Sequence, residues 1–197
     1  MPDRVPEAFL KVLADLTGWL EHAQVPAMVV GGVAASILGR PRATRDIDSL
    51  AILSEDKWAA ALDAAQQYGI VARVEKPLEF AHRTRVLLLR HSDSAIDIDV
   101  ILGRLPYEEE AIARGEFHDL GGVRVKLPQV EDLMIMKAVA QRPQDLRDIE
   151  GLLDVHPDAN VERVRQWVRE FAVAMTMPDV LESFEQLLAQ RESRRKR

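Results

Sequence analysis

Apolar residues at the start of the chain recur at helical spacing. Phe9, Leu10, Leu13, Leu16 and Leu20 fall on one face, predicting a helix over residues 6–24 that Pro26 stops. Residues 27–30 read as a short buried strand, broken by Gly31-Gly32, and residues 33–38 as a short helix. Gly39, Pro41 and their arginine neighbours make a loop. Residues 46–53 (DIDSLAIL) predict a strand, 55–68 a helix ended by Gly69, and 70–74 another strand. His82 lies with Arg83 and Arg85 in an expected loop. Strands over 84–90 and 95–102, joined by the polar turn at 91–94, predict an antiparallel hairpin. A helix follows over 107–114. Gly121-Gly122, flanked by residues 117–120 and 123–126, signals a second hairpin. Beyond Pro128 the pattern is helical over 129–140, 146–153, 161–174 and 179–190, punctuated by Pro143, Pro157 and Pro178. The shift divides the chain into an α/β (α+β) core, residues 1–127, and a C-terminal helical part, residues 128–197.

Composition narrows the class. With 197 residues, 47% hydrophobic and 29% charged, the chain is long enough for one domain, or a core with a small appendage. That balance excludes global disorder and collagen. Having no cysteine, it has neither disulfides nor thiolate metal sites, and the cytoplasm is the default location. The longest apolar-plus-glycine run, residues 27–35, has nine residues, whereas a membrane span needs about 20, so no membrane association is expected. The start MPDRVPEAFL lacks the build of a signal peptide. Net charge is −6, a mild argument against nucleic-acid binding. The last seven residues, RESRRKR, hold five basic and one acidic residue, leaving −10 on the rest. They read as a solvated helix end, with a basic arm for nucleic-acid phosphates as the functional alternative.

Carboxylates stand where apolar residues belong. Strand alternation puts Asp46 and Asp48 on one face, and in AIDIDVIL it does the same for Asp97 and Asp99. Ionised carboxylates on one face repel each other unless a cation or basic group compensates. Clustered without Cys or His, they favour a hard cation, Mg²⁺ or Mn²⁺. Gly31-Gly32, fourteen residues before the first pair, sits at a strand-to-helix turn, where backbone N–H groups suit phosphate. Arg40, Arg42 and Arg45 arrive just before Asp46. These are the parts that phosphoryl or nucleotidyl transfer needs.

GGVAASILGRPRATRDIDSL resembles the signature of the DNA polymerase β-type nucleotidyltransferase superfamily, with the third acid drawn from the later IDVILG. LPQVEDLMIMKAVAQRPQDLRDIEGLL is similar to the branch holding AbiEii and the MenAT-type toxins, through Lys137 and an Arg-x-x-Asp-x-x-Asp-like pattern at Arg142, Asp145 and Asp148. The resemblance covers about residues 27–154. It implies a mixed sheet flanked by helices, Mg²⁺ (or Mn²⁺) held by Asp46, Asp48 and Asp99, and an NTP as substrate. Asp97, on the same face as Asp99, is the alternative third ligand. Gly31, Gly32, Arg45 and Lys137 are the expected nucleotide-binding residues; Lys137 also counts with Asp148 among the expected catalytic residues. Gly32 stands where the superfamily often has Ser, and Ser36 is a candidate substitute.

The implied function is transfer of NMP from an NTP, with release of pyrophosphate, to an RNA such as a tRNA 3′ end. The chain would then be the toxin of a toxin–antitoxin pair, with an antitoxin protein as partner. Arg40, Arg42, Arg45, Arg83, Arg85 and the basic tail would supply the RNA contacts. The alternatives are transfer to a protein or an aminoglycoside-like small molecule, and a non-catalytic nucleotide-binding or antitoxin-interacting module.

Overall fold

The computed structural model describes residues 6–195. They divide into two units, one of residues 6–34 and 43–128, the other of residues 35–42 and 129–195. In the first unit, helix α1 (Glu7–His22) buries Val12, Leu13, Leu16, Trp19 and Leu20, the face its spacing predicts. The Trp19 indole N–H donates to the Ala61 carbonyl at 2.8 Å, tying α1 to α3 (Trp58–Ala65). Strand β1 (Ala27–Val30) leads without a loop into α2 (Gly31–Leu38), so the helix begins at Gly31 rather than at Val33.

Strands β2 (Asp46–Ala51), β3 (Ile70–Ala72), β4 (Val86–His91) and β5 (Asp97–Leu102) join β1 in a sheet of order β1-β2-β5-β4-β3. It is mixed: β2 and β5 run parallel, and the other pairs are antiparallel. The pattern of alternate residues divides the faces. Ile47, Ser49, Ile98, Val100, Leu87, Leu89 and Ile70 are buried on one side. There His91, at the end of β4, reaches Asp15 of α1 with 3.0 Å between Nε2 and Oδ2. The positions in between, Asp46, Asp48, Asp97 and Asp99, belong to the opposite face.

One expectation fails between β3 and β4. Pro77–Thr84 form a helix, α4, so His82 and Arg83 are helical and Arg85, at φ 61°, ends the helix rather than lying in a loop. Pro77 occupies the first turn, where its missing N–H costs nothing. Two turns that bury only Ala81 leave too little apolar periodicity to see. Helix α5 (Pro106–Arg114) follows β5. The hairpin β6 (Glu116–Leu120) and β7 (Val123–Leu127) then turns on Gly121 and Gly122, both at positive φ, and β7 lies beside α1 and β1.

The second unit packs α6 (Val130–Ala140), α7 (Pro143–Val155), α8 (Val161–Ala174) and α9 (Asp179–Arg195) around Leu133, Met134, Ile149, Leu152, Val164, Val168 and Phe184. Residues 35–42 are grouped with these helices: the His156 ring pairs through Nε2 with the Leu38 carbonyl at 2.7 Å. The basic tail is no loose arm where it is described. Arg191 pairs with Asp154 and donates to the Leu153 carbonyl at 2.7 Å, and Arg194 pairs with Glu150 at 3.0 Å, so α9 is fastened to α7. The expectations for residues 1–5, the Arg195 side chain, Lys196 and Arg197 lie outside the described residues. Among the described residues no helix is long and apolar enough to cross a membrane.

Candidate active site

The carboxylates meet through strand register. Across the parallel pair β2 and β5, Asp46 stands opposite Asp97 and Asp48 opposite Asp99. Neighbouring strands lie about 4.8 Å apart, so four acidic side chains crowd one patch of one face. On the far side of β2, Val30 stands opposite Asp48, and the next residue, Gly31, opens α2 at φ +62°. A Cβ on Gly31 would lie 2.6 Å from Cγ of Asp48, a space no side chain shares. Close approach to Asp48 and the left-handed backbone both demand glycine here.

Such a patch requires positive charge, and Arg73 supplies it. Its backbone N–H donates to the Leu88 carbonyl at 3.0 Å, carrying the β3–β4 pairing one residue further, and Leu88 stands opposite Asp99. The Arg73 guanidinium bonds Asp99 and lies 3.6 Å from Oδ2 of Asp97. Arg90, opposite Asp97 in the hairpin, donates from Nε to Oδ1 at 2.7 Å. That bond holds the Asp97 carboxyl below the usual carboxylate range against the opposing effect of burial, and the Arg73 charge adds to it. Asp46 accepts from the Thr44 hydroxyl at 3.1 Å. With these side chains so engaged, no three carboxylates or imidazoles among the described residues converge on one point. The donor chemistry nonetheless fits a hard cation, being carboxylate throughout. Neither arginine was singled out in the sequence. The Arg90–Asp97 pair depends on hairpin register: a turn over 91–94 would set Arg90 against Ala95, whereas His91 bonds Ile96 and brings Arg90 opposite Asp97. Arg73 depends on more, because its reach follows from how β3 pairs.

The second unit holds a different charged cluster. Lys137 on α6 is buried, its side chain 4% exposed, with its ammonium 3.0 Å from Asp145 and 2.7 Å from Asp148 on α7. Arg142 binds Asp145 at 2.7 Å, and Arg42 clasps Asp148 with two bonds of 2.7 and 2.9 Å. Burial opposes the charged forms of both aspartates. The hydrogen bonds from Arg142 and Lys137 to Asp145, and from Arg42, Lys137 and Gln144 to Asp148, outweigh it and hold both carboxyls below the ordinary range. The two aspartates of the Arg-x-x-Asp-x-x-Asp pattern thus enclose the Lys137 ammonium, which is buried and not a solvated surface group.

Four expected ligands are otherwise employed. Arg40 pairs with Asp154 at 2.5 Å. Ser36 is buried, its hydroxyl accepting from the Arg42 N–H at 3.2 Å and donating to the Arg42 carbonyl at 3.3 Å, so it secures a loop instead of replacing a phosphate-binding serine. Arg42 is committed to Asp148. Arg85 donates to Glu108 at 2.8 Å and to the Leu102 carbonyl at 3.0 Å. Arg45 and Arg83 are exposed.

The family described as "nucleotidyl transferase of unknown function (DUF2204)" matches residues 9–186. The chain belongs to this family. This nucleotidyl transferase, an enzyme, also has counterparts among solved structures. The antibiotic-resistance factor ANT(2'')-Ia is 13% identical, with 95% of this chain and 96% of that one covered at a TM-score of 0.55. An antigenic nucleotidyltransferase-like protein from Paracoccidioides brasiliensis is 17% identical over 89% and 92%, at 0.54. The lincosamide antibiotic adenylyltransferase LnuA is 15% identical over 77% and 99%, at 0.53. At such identities the likeness is one of fold. No curated relative matches the chain.

Proposed function

We propose that this nucleotidyl transferase moves NMP from an NTP to a hydroxyl acceptor on the carboxylate face of its sheet. The observation that supports this most is the register of β2 and β5, which sets Asp48 beside Asp99 with Gly31 closed against Asp48. Asp46, Asp48 and Asp99 would hold Mg²⁺ or Mn²⁺. Asp99 is preferred to Asp97 because, among the described residues, Asp97 faces two arginines, Arg90 and Arg73, and Asp99 only Arg73. A cation bound there supplies charge neutralisation for the phosphates and acidifies the acceptor hydroxyl. The backbone N–H groups at Gly31 and Gly32 would receive phosphate oxygens. The acceptor oxygen forms its bond to the α-phosphorus as the bridge to the β-phosphate breaks. Pyrophosphate leaves, and Asp48 or Asp99 takes the hydroxyl proton.

For the acceptor we read an RNA such as a tRNA 3′ end, and for the biological role a toxin of the AbiEii/MenAT kind with a protein antitoxin. The similarity around Lys137, Asp145 and Asp148 supports that reading, as do the exposed Arg45, next to Asp46, and Arg83. A small hydroxylated acceptor is the second reading, and a specific observation favours it: Arg42 and Arg85 are spent on Asp148 and Glu108, which thins the basic surface an RNA needs. Incubation with each α-labelled NTP, Mg²⁺ and either total tRNA or a panel of aminoglycosides and lincosamides tests both. Label on RNA with pyrophosphate release, lost in Asp48→Asn, is the expected result. Label on a small molecule alone replaces the acceptor, and no transfer under any condition overturns the reading.

A further inference from the structure

We infer that Arg73 is a built-in counter-ion for the carboxylate face, one that Asp99 exchanges for a divalent cation. The inference rests on the cation reading above and concerns a residue that reading does not use. Asp99 bonds Arg73, with Asp97 at 3.6 Å from the same guanidinium. Asp97 has a second cation in Arg90, so removal of Arg73 leaves Asp97 paired. Asp99 is the carboxylate that faces Asp48, and it cannot present the oxygen bonded to Arg73 to a cation at the same time. A guanidinium and a divalent ion therefore compete for one carboxylate. The geometry also explains how four acidic side chains coexist on two adjacent strands: the fixed charge of Arg73 offsets their repulsion. Its side chain is about one-quarter exposed, at 27%, so it has solvent to move into when Asp99 is taken from it. Arg73 is thus a positioning residue, setting how readily the acidic face accepts a cation.

Mn²⁺ affinity, measured by electron paramagnetic resonance on the full chain without nucleotide, is the test. Removing one positive charge at this range should tighten Mn²⁺ binding about tenfold or more in Arg73→Gln, while Arg73→Lys, which keeps the charge, stays near wild type. A merely structural arginine would not tighten cation binding when removed. Unchanged or weaker binding by Arg73→Gln, with Asp48→Asn abolishing the wild-type signal, overturns the role of Arg73 and leaves the cation site standing. Absence of Mn²⁺ binding by wild type and Arg73→Gln alike overturns both. Should Arg73→Gln not fold, the wild-type guanidinium resonances carry the test: they shift during Mg²⁺ titration if Asp99 lets go of Arg73, and resonances unmoved at saturation overturn the inference.

Discussion

Gly31 closes directly on Asp48: a Cβ at position 31 would sit 2.6 Å from the Asp48 carboxyl carbon, on a backbone with φ +62°. The turn that starts α2 and the aspartate central to the acidic face are therefore coupled. Gly31→Ala should destabilise the fold by about 1–3 kcal/mol from backbone strain alone, with the clash adding to it. Urea denaturation gives the value. A variant as stable as wild type would show that Asp48 moves aside freely.

Asp46→Asn and Asp48→Asn should each abolish transfer while leaving the melting temperature unchanged or higher, because loss of one carboxylate relieves repulsion within the patch. Turnover and thermal melts on the same preparations separate the two effects. Wild-type turnover in either variant, or activity in excess EDTA, contradicts the cation reading.

The cluster around Lys137 behaves oppositely. Asp148→Ala strips a buried partner from both Lys137 and Arg42 and should cost about 3–5 kcal/mol. Lys137→Met also breaks the network. If Lys137 serves the nucleotide, KM for NTP rises in Lys137→Met with Mn²⁺ affinity intact. A stability loss with KM unchanged would make the cluster purely architectural.

Acid sensitivity follows from Asp145 and Asp148. Both bind protons more weakly folded than unfolded, so their stabilisation is complete above the unfolded aspartate value of about 3.9 and is lost as pH falls through their lower folded values. Unfolding free energy measured from pH 6 to pH 2 should drop most steeply below about pH 4. The double variant Asp145→Asn, Asp148→Asn should start less stable and show a shallower drop; an equally steep one would place the acid sensitivity elsewhere.

If RNA is the acceptor, Arg45→Glu and Arg83→Glu should weaken it more than Arg85→Glu, whose parent side chain is already paired with Glu108. Binding should fall steeply with added salt, since phosphate contacts carry most of the affinity. Filter binding across a salt series decides: equal losses at all three positions would mean the contacts lie elsewhere.

The local code of this chain was readable in advance. Alternation in DIDSLAIL and AIDIDVIL put each aspartate pair on one face, and Gly121-Gly122 marked a hairpin, because side-chain direction in a strand and φ at a glycine turn are properties of a few neighbouring residues. Partner choice is not local. That β2 runs parallel to β5 with Asp48 against Asp99, that Arg73 reaches across β4 to Asp99, and that residues 35–42 belong with the C-terminal helices depend on which strands and helices pack together. Lys137 illustrates the division. Its apolar neighbours Leu133, Met134 and Ala138 are plain in the sequence, but only the packing of α6 against α7 brought both Asp145 and Asp148 within ion-pair distance, because a buried charge is tolerable only where tertiary structure supplies its counter-charges.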